Sequence, residues 1–143
     1  ERIFDFLEIR KLIEGWCAEK ASAKATPENL EKMKEILKKM KGVVPTEKAW
    51  ERVDREFHIS VVAATQNVIA MHIMEALKDS FSSFFRLRRI TTQSELKGLL
   101  CRQHNEIYRA ISRRDPLLAR QKAVEHLDFI EKRIKEDLKK MQE

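Results

Sequence analysis

Apolar residues recur every three to four positions along nearly the whole chain, which is the spacing of one helix face rather than of alternating strands. Over residues 1–20 the stripe is read as Phe6, Ile13 and Cys17, flanked by Ile3, Leu12 and Trp16, and Arg10 falls on the same stripe. Thr26-Pro27-Glu28-Asn29 then predicts a helix start: Thr26 supplies an N-cap oxygen, Pro27 fits the first helical position, and an acidic first turn suits the positive helix end. This second helix is expected to run to about Lys41, with Gly42 as its C-terminal cap. Val43-Val44-Pro45-Thr46 reads as a connector whose last residue caps a third helix from Glu47 to Ala64. Trp50, Val53, Phe57, Val61 and Ala64 form the inner face of that helix, bordered by Asp54 and His58.

A fourth helix is predicted from about Val68 to Ile90, with Ile69, Ile73, Leu77, Phe81 and Phe84 on one side and Arg88 extending the stripe. The fifth, from Ser94 to Ser112, turns Leu96, Leu100, Ile107 and Ile111 inward around a central His104. The sixth begins near Asp115-Pro116 and carries Ala119, Ala123, Ile130, Ile134 and Leu138, with His126 in register among them. Connections this short favour antiparallel neighbours. The expected fold is therefore an all-α antiparallel bundle of six or seven helices, with a central metal or ligand cavity.

Composition agrees with that pattern. At 143 residues the chain is sized for one domain, expected to occupy 1–143. Charged residues make up 36%, against only three glycines and three prolines, which favours helices with solvated faces over turn-rich β structure. No uncharged apolar run approaches the roughly 18 residues of a membrane span, so a cytoplasmic protein without membrane contact is expected. Cys17 and Cys101 sit far apart inside helical patterns and read as reduced, buried thiols. The formal charge of +6 is spread over every helix, so it reads as solvated surface more than as a nucleic-acid footprint. The chain starts at Glu1 rather than at a methionine, which is consistent with a fragment or a processed product and leaves room for a partner domain ahead of it.

Asp54 and His58 stand one turn apart, so their side chains share one patch of helix surface. Alone, such a pair is common. His104 and His126, however, each occupy the middle of an apolar stripe, and burying all four polar groups without a shared partner is costly. One divalent metal on Asp54, His58, His104 and His126 removes that cost. Three imidazoles and a carboxylate suit zinc first, with nickel, manganese or iron as alternatives. His72, at the edge of the fourth helix's stripe, is read as standing outside the site. No H-E-x-x-H occurs, and no histidine follows a glutamate at three residues as in di-iron bundles.

Three stretches carry a resemblance to a known family. They are Phe6-Leu7-Glu8-Ile9-Arg10-Lys11-Leu12-Ile13-Glu14-Gly15, Asp54-Arg55-Glu56-Phe57-His58, and Gln103-His104-Asn105-Glu106-Ile107-Tyr108-Arg109-Ala110-Ile111 with its continuation Arg113-Arg114-Asp115-Pro116 and Glu125-His126-Leu127. In order and spacing, together with Ala25-Thr26-Pro27-Glu28-Asn29-Leu30, they resemble the FCD ligand-binding domain of GntR-type regulators in the FadR-like branch. That resemblance implies the same four metal ligands, a small organic acid bound at or beside the metal, and a homodimer. It also implies DNA binding through an N-terminal winged helix-turn-helix that these residues do not contain, and it implies no enzyme activity. Arg10 and Asn67 are implied as effector contacts. Each has a plain alternative: Arg10 as an ion pair with a core-edge acid or with Asp54, Asn67 as a helix cap after Gln66, which replaces the usual glycine. Arg86, Arg88 and Arg89 are given no role.

Two other functions compete with sensing. A metallohydrolase would use an open metal position to activate water, but its nearest bases in sequence, Glu56 and Glu106, fall on faces turned from the ligands. A purely structural metal would tie the helices together and leave no exchangeable position.

Overall fold

The computed structural model describes residues 2–42, 46–77, 80 and 94–143. Among these residues all regular structure is helical: α1 (Arg2–Lys24), α2 (Pro27–Lys41), α3 (Glu47–Ala63), α4 (Val68–Ala76), α5 (Ser94–Ser112) and α6 (Pro116–Gln142). The connector 43–45 lies outside the described residues, as do Phe81, Phe84, Arg86, Arg88, Arg89 and Ile90 from the expected second half of the fourth helix.

Helix starts follow the local chemistry. Thr26 Oγ1 accepts from Asn29 N at 3.1 Å and Asn29 Oδ1 accepts from Thr26 N at 2.9 Å, a reciprocal box that satisfies two backbone donors at the start of α2. Thr46 caps α3 through Ala49 N, and Asp115 caps α6 through Leu118 N. Gly42 caps α2 as expected, through its N–H to the Lys38 and Lys39 carbonyls, in an extended conformation (φ −75°) that any residue adopts.

The α5–α6 turn does use a left-handed residue, Arg114 at φ 60°. Asp115 N bonds Ala110 O and Arg114 N bonds Ile111 O, the pattern that normally places glycine at this position. The arginine is held by donating to Ser22 O at 3.2 Å and to Ala25 O at 2.7 Å. It thereby satisfies a last-turn carbonyl of α1 and that of Ala25 just beyond it, and ties the α5–α6 corner to the end of α1.

The main packing is α1 along α6, with α5 against α6 and α2, and α3 against α1 and α2. Gly15 lets α1 pack tightly on α6, since a Cβ there would meet Val124 Cγ2 at 3.1 Å. Leu96, Leu100, Ile107 and Ile111 of α5 are buried as expected, as are Ala119, Ala123, Ile130 and Ile134 of α6; Leu138 is 38% exposed.

Two faces differ from the expected ones. On α1 the buried line runs Leu7, Arg10, Glu14, Cys17, Ala21, whereas Phe6 and Ile13 are half-buried and Leu12 is 68% exposed. The charged pair occupies the core line, so the apolar residues beside it mimic an inner face rotated by part of a turn. On α4, Ala70 and Met74 are buried while Ile69 and Ile73 are exposed. That segment is apolar nearly all round, so periodicity cannot choose its face.

Candidate metal centre

Three helices bring four polar side chains to one buried point. Asp54 and His58 come from α3, His104 from α5 and His126 from α6, and all are at least 96% shielded from solvent, in keeping with their places on the inner stripes. One ring nitrogen from each of His58, His104 and His126 lies within 4.8 Å of the other two. His104 Nε2 is 3.3 Å from His58 Nε2, and Asp54 Oδ1 stands 3.1 Å from His104 Nε2 and 3.7 Å from His58 Nε2. Donors bound at about 2.0–2.1 Å to one ion stand about 3.0 Å apart in octahedral and about 3.3–3.4 Å apart in tetrahedral geometry. The His58–His104 and Asp54–His104 separations fall in that range, the Asp54–His58 separation is longer at 3.7 Å, and the His126 nitrogen lies within 4.8 Å of the other two.

The outer ring nitrogens are engaged. His58 Nδ1 donates to Glu14 Oε1, and His126 Nδ1 donates to Gln103 Oε1 at 2.7 Å. His104 Nδ1 lies 3.0 Å from Met40 Sδ, a weak acceptor. In the neutral ring these partners put the proton of His58 and His126 on Nδ1 and leave Nε2 with a lone pair, the tautomer that a ligating imidazole requires; with a second proton, His58 Nε2 instead faces Asp54 as a donor. His126 Nε2 is buried and has no hydrogen-bond partner among the described residues. A polar atom left so in the interior costs about 1–3 kcal/mol unless something fills it. Phe57 seals the cluster, its ring centroid 4.8 Å from that of His104 and 5.7 Å from that of His58.

Electrostatics point the same way. Burial raises the pKa of Asp54, but hydrogen bonds from His104 and His58 outweigh it and hold the carboxyl well below its usual range. Burial lowers the pKa of His58, yet the facing Glu14 and Asp54 carboxylates raise it overall. His126 is pushed well below its ordinary value by burial and then by its histidine neighbours, and stays neutral. The cluster thus has the anionic character that favours a cation at its centre, whether a proton on His58 or a metal. The donor set and its spacing fit a borderline divalent ion.

Sequence reasoning did not single out Glu14. It is 5% exposed and uses both carboxylate oxygens: Oε1 faces His58 Nδ1, and Oε2 accepts from Arg10 Nε at 2.5 Å. Burial alone raises its pKa, but Arg10 and His58 bring it down to about 2. The signal available in the sequence was the four-residue spacing of Arg10 and Glu14, which reads equally well as a solvated pair.

The other implied residues lie as follows. Arg10 is 1% exposed and ion-paired to Glu14 within its own helix, with its guanidinium carbon 5.7 Å from the Phe6 ring centroid. Asn67 is the N-cap of α4, its Oδ1 accepting from Ala70 N at 2.9 Å. The preceding Gln66 takes φ 58°, so the turn expected for glycine forms with a glutamine. His72 is exposed on α4, apart from the cluster. Glu106 is exposed and pairs with Lys122 at 3.4 Å, and Glu56 is half-buried. Cys17 is fully buried, its thiol pushed up to about 12 by burial and by Glu14, while Cys101 is half-buried and donates to Met40 O at 3.6 Å; both are free thiols. A cavity of about 10 Å³, room for roughly one water, touches Glu14, Phe57 and His58.

The all-helical bundle is the fold of a known family, and the chain belongs to it: the FCD domain family, whose model matches residues 5–129. It is 28% identical over 134 residues to the HTH-type transcriptional regulator LutR of Bacillus subtilis, covering 92% of this chain and 61% of that protein. The Glc operon transcriptional activator of Escherichia coli K12 is 27% identical over 141 residues (92% of this chain, 55% of that protein). The Exu regulon transcriptional regulator of the same organism is 29% identical over 128 residues (87% and 48%). The chain therefore spans about half the length of the curated relatives it matches. In three dimensions it resembles E. coli McbR/YncC, with a TM-score of 0.77 at 17% identity over 96% of this chain and 70% of that one, which establishes the fold. The three curated relatives are named as regulators of transcription and none as an enzyme, in agreement with the non-enzyme expectation. No helix among the described residues is long and apolar enough to cross a membrane.

Proposed function

We propose that this domain senses a small organic acid for a transcriptional regulator, through one divalent metal held by Asp54, His58, His104 and His126. The observation that carries the reading is the orientation of the imidazoles. The outer nitrogens of His58 and His126 are spent on Glu14 and Gln103, and the inner nitrogens of His58 and His104 stand 3.3 Å apart beside Asp54. The inner nitrogens of His58 and His104 face each other and Asp54, whereas His126 Nε2, buried beside them, has no hydrogen-bond partner among the described residues and is the donor that an ion would satisfy.

Zinc is the first choice of metal, with nickel, manganese or iron following from the same ligands. The metal would present a Lewis-acidic position to a carboxylate. Arg10, buried one helical turn from Glu14, is the residue proposed to meet that carboxylate through paired hydrogen bonds. Asn67 contributes only if its capping oxygen is released, which makes it the weaker of the two proposed contacts. The domain is proposed to act as a homodimer in the cytoplasm, and DNA is proposed to be read by a winged helix-turn-helix outside this chain. An effector would then bias the arrangement of the two DNA-reading heads through its differential affinity for the two states.

A panel of small carboxylates, followed by thermal unfolding of zinc-loaded protein, tests this. The expected result is a raised melting temperature for at least one acid, abolished by chelation. If no acid in the panel shifts the loaded protein, while zinc itself still stabilises it, the metal is structural and the sensing reading fails.

A further inference from the structure

Glu14 is the only carboxylate among the described residues that touches a centre histidine from outside the proposed ligand set, and it touches it on the outward nitrogen. Its two oxygens are divided between two jobs. Oε1 accepts a hydrogen bond from His58 Nδ1–H, and Oε2 accepts one from Arg10 Nε–H at 2.5 Å. Accepting at Nδ1 fixes both the tautomer and the rotation of the imidazole, because a hydrogen bond at one ring nitrogen leaves the other as the lone-pair donor. Arg10 and Glu14 lie on one turn of α1, so a shift of either end of the pair moves the other.

We propose that Glu14 is the positioning residue of the metal centre, orienting His58 for the ion on one side and holding the proposed effector arginine on the other. This rests on the metal reading above. It assigns Glu14 a role in metal affinity, and it makes the Arg10–Glu14 pair the physical link between the effector contact and the metal. A carboxylate arriving at Arg10 competes with Glu14 for the same guanidinium, so its binding is read at His58. By linkage, metal and acid then alter each other's affinity by the same factor.

The rival explanation is that Glu14 merely neutralises a buried arginine. Two variants separate these roles. Glu14→Gln keeps an acceptor for His58 Nδ1 but removes the charge. The double variant Arg10→Met with Glu14→Met replaces the buried ion pair as a unit by apolar side chains of similar volume, an exchange that folds commonly tolerate. Each is titrated with Co(II) as the probe, reading the visible absorption of the bound ion together with its affinity, and then with Zn(II) in competition.

Positioning predicts that Glu14→Gln retains the wild-type Co(II) spectrum with less than about tenfold loss of affinity. It predicts that the double variant binds about 10–100-fold more weakly with an altered spectrum, the usual effect of losing the partner of a ligating histidine. A double variant with wild-type affinity and spectrum would overturn the proposal and leave the metal reading intact. Wild-type protein that binds neither Co(II) nor Zn(II) overturns the metal reading itself, and this inference with it.

Discussion

Helices α5 and α6 place one histidine each in the middle of an apolar line, whereas α1 places two opposite charges, Arg10 and Glu14, on successive turns of its buried line. Both arrangements bury polar groups in the same core. On α5 the neighbours Leu100, Ile107 and Ile111 keep the stripe visible, so His104 stands out against it. On α1 the charged pair blurs the stripe: Arg10 and Cys17 of the expected line are buried, but Phe6 and Ile13 are half-buried and the flanking Leu12 is exposed. A lone polar residue in an apolar line is a signal; an i, i+4 pair of opposite charges looks like surface.

The largest test of this contrast is to break the α1 pair from one side. Glu14→Ala breaks the buried pair with Arg10 and removes the acceptor of His58 Nδ1, and chemical denaturation is expected to show a loss of about 3–5 kcal/mol, most of it recovered in the double methionine variant. A loss below about 1 kcal/mol would mean that Arg10 reaches water and that the α1 line is not part of the core. Phe57→Ala, in the lid over the histidines, should cost a similar 3–5 kcal/mol, because this fully buried ring leaves a cavity between α3 and α5.

Acid sharpens the same comparison. The folded-state pKa of Glu14, about 2, lies below its ordinary 4.5, so its contribution to stability is fully present above pH 4.5 and is lost as pH falls from there toward 2. Urea midpoints of wild type and Glu14→Gln should therefore converge over that window and differ most above it. Parallel curves would remove Glu14 from the buried network.

Smaller effects probe the margins. Gln66→Gly relieves a left-handed glutamine and should raise stability by about 0.5–1 kcal/mol in thermal unfolding, with no change in metal binding. Leu12→Ala should change stability by no more than about 0.5 kcal/mol. A cost of about 2 kcal/mol or more would restore Leu12 to the core and reverse the assignment of the α1 face.

Much of the architecture was legible because caps and stripes act locally. Thr26, Thr46 and Asp115 start their helices as their side-chain chemistry dictates, and the inner faces of α3, α5 and α6 follow from hydrophobic spacing. The convergence of Asp54, His58, His104 and His126 was legible for the same reason, since inner faces of packed helices meet. What was hidden depends on contacts between distant segments. Glu14 becomes part of the site only because α1 packs against α3, and Arg114 takes a glycine conformation only because carbonyls of α1 hold its guanidinium. The α4 face was hidden for a different reason: a segment apolar on all sides carries no periodicity to read.

Elemental analysis of protein purified without added metal tests the central claim most directly. The account predicts about one divalent ion per chain, lost in Asp54→Ala and His126→Ala and kept in His72→Ala, whose side chain lies exposed on α4. Full retention of the ion in both Asp54→Ala and His126→Ala would contradict it.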